Sequence, residues 1–196
     1  MGYTAKHEGN LDHIRELLKP DPVLIERVTA HHPQWKGRIF SVDILDVALS
    51  DGTTGEREVA YHHGGCGVAL YKDSKLCLVR QYRVAIQAMT LEIPAGKLEL
   101  DETSEECAAR ELKEETGYTA DSLEFIASAA GSIGFTDEKT RIFLAHGPHP
   151  GKSHPDQGEL LTCAWVPLED VLAAVHAGLI EDSKTIIAAQ AIALRL

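Results

Sequence analysis

Between Thr103 and Gly117 the chain holds one strongly helical stretch whose last three acids share one face. Thr103 and Glu106 form a T-x-x-E capping box, which predicts the helix start, and Gly117 suits the left-handed position that ends it. At 3.6 residues per turn, Glu111 and Glu115 stand about 40° apart, with Glu114 about 60° to the other side of Glu111. Such like-charged neighbours each cost an isolated helix a few tenths of a kcal/mol. A solvated acidic face is the simpler reading of a charge run, but these acids are not interleaved with lysines. Hard oxygen donors converging on one point describe a Mg²⁺ or Mn²⁺ site, with Glu111, Glu114 and Glu115 as candidate ligands. Arg110 can hold one of these carboxylates by a bidentate bond; otherwise it is a surface ion pair. Ahead of the helix, Pro94-Ala95-Gly96 follows a β-like run. Gly96 lets the backbone come close to a ligand, which leaves the Ala95 carbonyl as a further oxygen donor. Taken alone, Gly96 reads as a plain turn glycine.

Around this helix the pattern is mostly β. Short runs at RIFSVDILDVAL, EREVAYHH, GVALYK, KLCLVRQYR and MTLEIP precede it, and runs near 123–129 and 140–145 follow. An amphipathic helix is predicted over Asn10–Lys19, a last strand in LLTCAWVPL, and two final helices over 168–177 and 182–196. Residues 147–158, with three prolines and three glycines, read as a long exposed loop. Strands interrupted by one helix and finished by others predict an α/β fold, a sandwich around a mixed β-sheet. A small N-terminal β-rich lobe is expected over 36–64, after a helical extension at 1–35 and before a main domain at 65–196. The 196 residues include 44% apolar and 25% charged, ordinary values for a globular chain. No apolar run reaches the roughly 18–20 residues of a spanning helix, and the N-terminus shows no secretory h-region. With 30 acidic against 19 basic residues, a net −11, duplex nucleic acid and anionic membranes are poor partners. Cys66, Cys77, Cys107 and Cys163 include no C-x-x-C, so buried reduced thiols and a cytoplasmic setting are expected.

Residues 96–118 resemble the box of the Nudix hydrolases, Gly-x5-Glu-x7-Arg-Glu-U-x-Glu-Glu-x-Gly-U, where U is bulky and apolar. Here it runs Gly96, Glu102, Arg110, Glu111, Leu112, Glu114, Glu115, Gly117, Tyr118, with only the last U filled by the less usual Tyr. The resemblance implies a family that hydrolyses nucleoside diphosphates linked to another moiety, with divalent metal. It implies metal binding by Glu111 and Glu115, metal binding or assistance by Glu114, and a metal-shell carbonyl at Ala95. Arg110 joins Glu114 and Glu159 as an expected catalytic residue.

Beyond the box, KGRIFSVDI, REV, HHGG, VRQYR and LEIPAGKLE resemble the ADP-ribose pyrophosphatase branch, and IEDSKTIIAAQAIAL resembles its last helix. By that resemblance Arg57 and Arg83 contact nucleotide or phosphate, and Phe40 lies in the adenine-stacking region. Lys97, Gly134 and Glu138 complete the expected substrate contacts. GSIGFTDE departs from the branch pattern, since Ile133 stands where proline is usual, which leaves GDP-mannose or UDP-glucose as alternative substrates. DQGELL resembles the D-x-G-E-F motif, whose Glu, here Glu159, is a metal ligand or general base. Some relatives carry a second Glu where this chain has Gln157. The branch resembled forms homodimers, and a homodimer is expected. From a different functional class, a non-catalytic ADP-ribose-binding Nudix sensor is the other reading. No P-loop, dinucleotide fingerprint or H-E-x-x-H is present.

Overall fold

The computed structural model describes residues 10–156 and 158–196. Expectations for residues 1–9 and for Gln157 lie outside the described residues.

The N-terminal unit comprises the chain up to His62, with Gly134–Thr136 and Arg195. It holds α1 (Leu11–Leu17) and an antiparallel three-stranded sheet of β1 (Arg27–Lys36), β2 (Phe40–Ala48) and β3 (Thr54–His62). Asn10 caps α1 by accepting from the Asp12 amide, as its short polar side chain favours. β1 lies inside the stretch read as a helical extension. Its side chains are nearly all exposed and Pro33 interrupts it at a register shift, so it has none of the alternation that betrays a half-buried strand. Within this unit Phe135 and Thr136 join the end of β3, the Ala60 amide donating to the Phe135 carbonyl at 2.7 Å.

The larger unit runs from His63 to Leu196 apart from those insertions. It has two sheets where a single mixed sheet was expected. The first orders β8 (Ala95–Lys97), β4 (Gly65–Ala69), β10 (Lys139–His146) and β9 (Ser122–Ala130), and β4 runs parallel to β10. The second orders β11 (Leu161–Pro167), β6 (Lys75–Arg83) and β5 (Tyr71–Lys72), with β7 (Ala88–Glu92) also on β6. Period-two alternation sorts the side chains to two cores. Cys66, Val68, Phe143 and Ala145 pack with Cys107, Ala108 and Leu112 of α2 (Ser104–Thr116). Ala69, Leu76, Leu78 and Ile142 pack instead with α3 (Leu168–His176) and α4 (Ser183–Ala193). Helices thus cover both faces, giving the layered α/β arrangement expected. Leu112 is fully buried, and removing such a side chain from water is worth roughly 2 kcal/mol.

Candidate active site

The acidic stripe sits on a helix bounded as its sequence requires. Thr103 and Glu106 complete the capping box, each side chain bonding the other's amide. Gly117 closes the helix at φ 78°, where a Cβ would also lie 2.6 Å from the Ser153 amide nitrogen. The loop 147–158 is less free than its composition suggests. Thr119 and His149 exchange backbone bonds, and the His154 amide donates to the Glu114 carbonyl at 2.8 Å.

Glu115 is 4% exposed, and its Oε2 accepts from the Ala95 amide at 2.8 Å. Burial pushes this carboxyl up to about 8 against the pull of that amide, and the charges of Glu111 and Glu159 add to the rise. Glu111 is likewise raised, by burial first, against the pull of Arg110. Its carboxylate lies against the backbone of Gly96, where a Cβ would stand 1.7 Å from Oε1. Gly96 is therefore more than a turn residue: it makes the space that Glu111 occupies.

Arg110 organises the rest. Its Nε and Nη2 grip Glu102 at 2.8 and 3.0 Å. Nη1 reaches Glu111 at 2.7 Å and Glu114 at 3.0 Å, and Nη2 donates to the Lys97 carbonyl at 3.2 Å. The guanidinium holds Glu102 down at about 2. One cation thus positions three carboxylates, and its contacts are those of a holder. Glu102, which sequence reasoning counted in the box but gave no task, is the anchor that fixes this holder.

The structure brings Ala95, Gly96, Arg110, Glu111, Glu114 and Glu115 together. Glu159 is exposed, yet near enough for its charge to raise both Glu111 and Glu115. Among the described residues no three acidic, His or Cys side chains are gathered to hold an ion as they stand. The donor chemistry nevertheless fits a divalent cation: buried Glu115 and half-buried Glu111 stay raised by desolvation and neighbouring carboxylates even with Arg110 beside Glu111, and every donor is a hard oxygen. A cavity of about 690 Å³ borders the helix on the Arg110, Lys113 and Glu114 side, reaching Leu123 and His154. That is the size of a small-ligand pocket.

Arg83, expected at the phosphates, grips Glu92 with two bonds of 2.7 Å. Glu92 is buried and also accepts from Lys184 at 2.5 Å and from Thr90 at 2.7 Å. Burial pushes its carboxyl up, but Arg83, Lys184 and Thr90 together bring it down to about 2. A depressed native value stabilises the fold above the unfolded value near 4.5, and that contribution fades as pH falls toward 2. The span corresponds to about 3 kcal/mol at 1.36 kcal/mol per unit. Urea melts from pH 6 down to 2.5 are expected to show wild type losing stability faster than Glu92→Gln; parallel curves would refute this.

In the N-terminal unit Arg57 grips Glu26 at 2.9 and 2.5 Å, and Phe40 packs on Trp35 with centroids 4.9 Å apart. Lys97 is exposed on β8, and Gly134 has open space around its Cα. All four cysteines are free thiols. Cys163, expected buried, is exposed, and its Sγ contacts the Glu115 carbonyl at 3.3 Å because β11 passes that end of α2. No helix among the described residues is long and apolar enough to cross a membrane.

A capped helix carrying one buried and one half-buried glutamate, clamped by an arginine beside a glycine-bearing strand, presents hard oxygen donors of the kind a divalent cation takes. The NUDIX domain matches residues 61–189, and the chain belongs to the Nudix hydrolase family, whose members generally use divalent metal ions. It is 37% identical to the ADP-ribose pyrophosphatase of Bacillus subtilis (strain 168), over 88% of this chain and 95% of that one. It is 36% identical to the methanol dehydrogenase activator of Bacillus methanolicus, over 82% of this chain and 89% of that protein. Among solved structures, that of an ADP compounds hydrolase superposes with a TM-score of 0.77 at 22% identity, covering 87% of this chain and 94% of the other.

Proposed function

We propose that this chain hydrolyses the diphosphate of ADP-ribose, to AMP and ribose 5-phosphate, or of a similar nucleotide sugar, with Mg²⁺ or Mn²⁺. The observation that carries this reading is the pair of carboxylates, buried Glu115 and half-buried Glu111, held in register by Arg110, Gly96 and the Ala95 amide. The likeness to an ADP-ribose pyrophosphatase and to an ADP compounds hydrolase supports the substrate class. Glu111, Glu114, Glu115 and Glu159, with the Ala95 carbonyl, would hold the metal. The cation supplies Lewis-acid chemistry, neutralising diphosphate charge and acidifying water. Arg110 keeps the box carboxylates aimed, and Glu114 or Glu159 takes the proton from the attacking water. Phe40, Arg57, Arg83, Lys97, Gly134 and Glu138 are the proposed substrate contacts. The domain division at 36 and 65 and a cytoplasmic setting belong to the same reading.

A panel of ADP-ribose, GDP-mannose and UDP-glucose with each metal, products separated by chromatography, tests it. ADP-ribose cleavage to the two monophosphates is expected. Binding of ADP-ribose without turnover would instead define a sensor. For the base, Glu159→Gln is expected to lower kcat far more than it weakens substrate affinity, with Glu138→Gln milder. A dead Glu138 variant beside an active Glu159 variant would reverse the assignment.

The N-terminal unit supports a homodimer. Its buried apolar side chains are Leu45 and Val47 alone among the described residues, while Leu11, Ile14, Leu17, Val28 and Trp35 are exposed. So small a core rarely stands without a partner. Light scattering is expected to report two chains per particle; a fully active monomer would refute this.

A further inference from the structure

We propose that Thr185, on α4, is a positioning residue for the active-site frame, its hydroxyl setting where Pro94–Ala95 meets Glu115. The inference rests on the reading of Ala95 and Glu115 as metal ligands. Thr185 is completely buried. Its Oγ1 donates to Asp182 Oδ2 at 2.5 Å and accepts from the Ile93 amide at 2.7 Å. Asp182 already caps α4 by accepting from the Thr185 amide at 3.0 Å, so helix capping does not require the hydroxyl. What the hydroxyl adds is a bond from α4 to a backbone 92 positions earlier.

That backbone is two residues from Ala95, and it is gripped along its length. Glu92 is bound by Lys184, the neighbour of Thr185 on α4. The Pro94 carbonyl accepts from the Val68 amide at 2.8 Å, and the Ala95 amide donates to Glu115 on α2. α2 and α4 belong to opposite cores, so residues 92–95 are held from one face by α4 and from the other by the catalytic helix. Without the hydroxyl, the Ile93 amide is buried and unpaired, a cost the segment relieves by shifting. Any shift moves the Ala95 carbonyl and the amide that orients Glu115. Thr185 touches no substrate, so the effect falls on metal affinity and kcat.

The test reads Mn²⁺ binding without substrate, by electron paramagnetic resonance of the free ion, beside the kinetics. Thr185→Val keeps shape and removes the hydroxyl. It is expected to bind Mn²⁺ at least fivefold more weakly and to lose at least tenfold in kcat, with KM for ADP-ribose within twofold. Thr185→Ser restores both to within twofold. Ile192→Val, in the same core but without a link to residues 92–95, loses thermal stability with unchanged Mn²⁺ binding. Thr185→Val with wild-type Mn²⁺ affinity and kcat overturns the proposal. Because the Mn²⁺ reading needs no substrate, failure to cleave ADP-ribose would sink the substrate assignment and leave this one standing. Should Thr185→Val not fold, Asp182→Asn weakens the same relay, and native Mn²⁺ affinity in that variant overturns the proposal equally.

Discussion

Glu115→Gln is expected to lower turnover at least a hundredfold while the protein stays folded. Gln keeps the side chain's size, and its amide oxygen still accepts from the Ala95 N–H, so the local geometry survives. What disappears is the charge that Glu115, raised to about 8 in the free protein, would present to a bound cation. A catalytic cation held by fewer charged oxygens is both scarcer and worse placed to stabilise the transition state. The same change removes an unfavourably buried carboxylate, so the melting temperature in chelator is expected to match or exceed that of wild type. Near-normal turnover would dismiss α2 as the catalytic helix.

Gly96→Ala, an exchange of one hydrogen for one methyl, is expected to be as damaging. The new carbon would lie 1.7 Å from Glu111 Oε1 and 2.0 Å from its Cδ, distances no packing permits. Glu111 must swing away, and its 2.7 Å bond to Arg110 goes with it. A loss of at least a hundredfold in kcat is expected, with far-UV circular dichroism unchanged because β8 is only three residues long. Catalytic sites commonly lose this much when a group moves by an ångström. An active Gly96→Ala enzyme would mean that Glu111 works from a different rotamer.

The helix α2 was legible because its signals are local. A capping box, a terminal glycine and three glutamates at helical spacing all lie within one short segment, and the structure assembles them as written. Sheet organisation was not, since alternation tells which face a side chain takes but not which strands pair. The run GVALYK therefore read as one strand, whereas it divides at buried Leu70 into β4 and β5, in different sheets. Glu92 carried half a signal: an acid beside buried Ile93 needs a cation, and Arg83 stands nine positions back, yet Lys184 is 92 positions away and nothing local names it. Loop 147–158 looked unrestrained because its anchors to Thr119 and Glu114 are backbone to backbone, and such bonds leave no mark in side-chain identity.

Those anchors put Glu159 on a short leash. One end is tied where His154 meets the last turn of α2, and the other where β11 begins at Leu161. Glu159 stands five positions beyond the tie at His154, so the chain can carry it at most about 18 Å from that tie. Confinement to so small a volume is equivalent to a carboxylate present at roughly millimolar concentration or above around Glu111 and Glu115. In the role proposed for Glu159, folding has already met most of the search cost of bringing this acid to Glu111 and Glu115. Relatives with longer versions of the loop would forfeit little, because closure entropy grows only with the logarithm of length, about 0.6 kcal/mol per doubling. The tether supplies proximity while leaving the length and composition of the span free to vary.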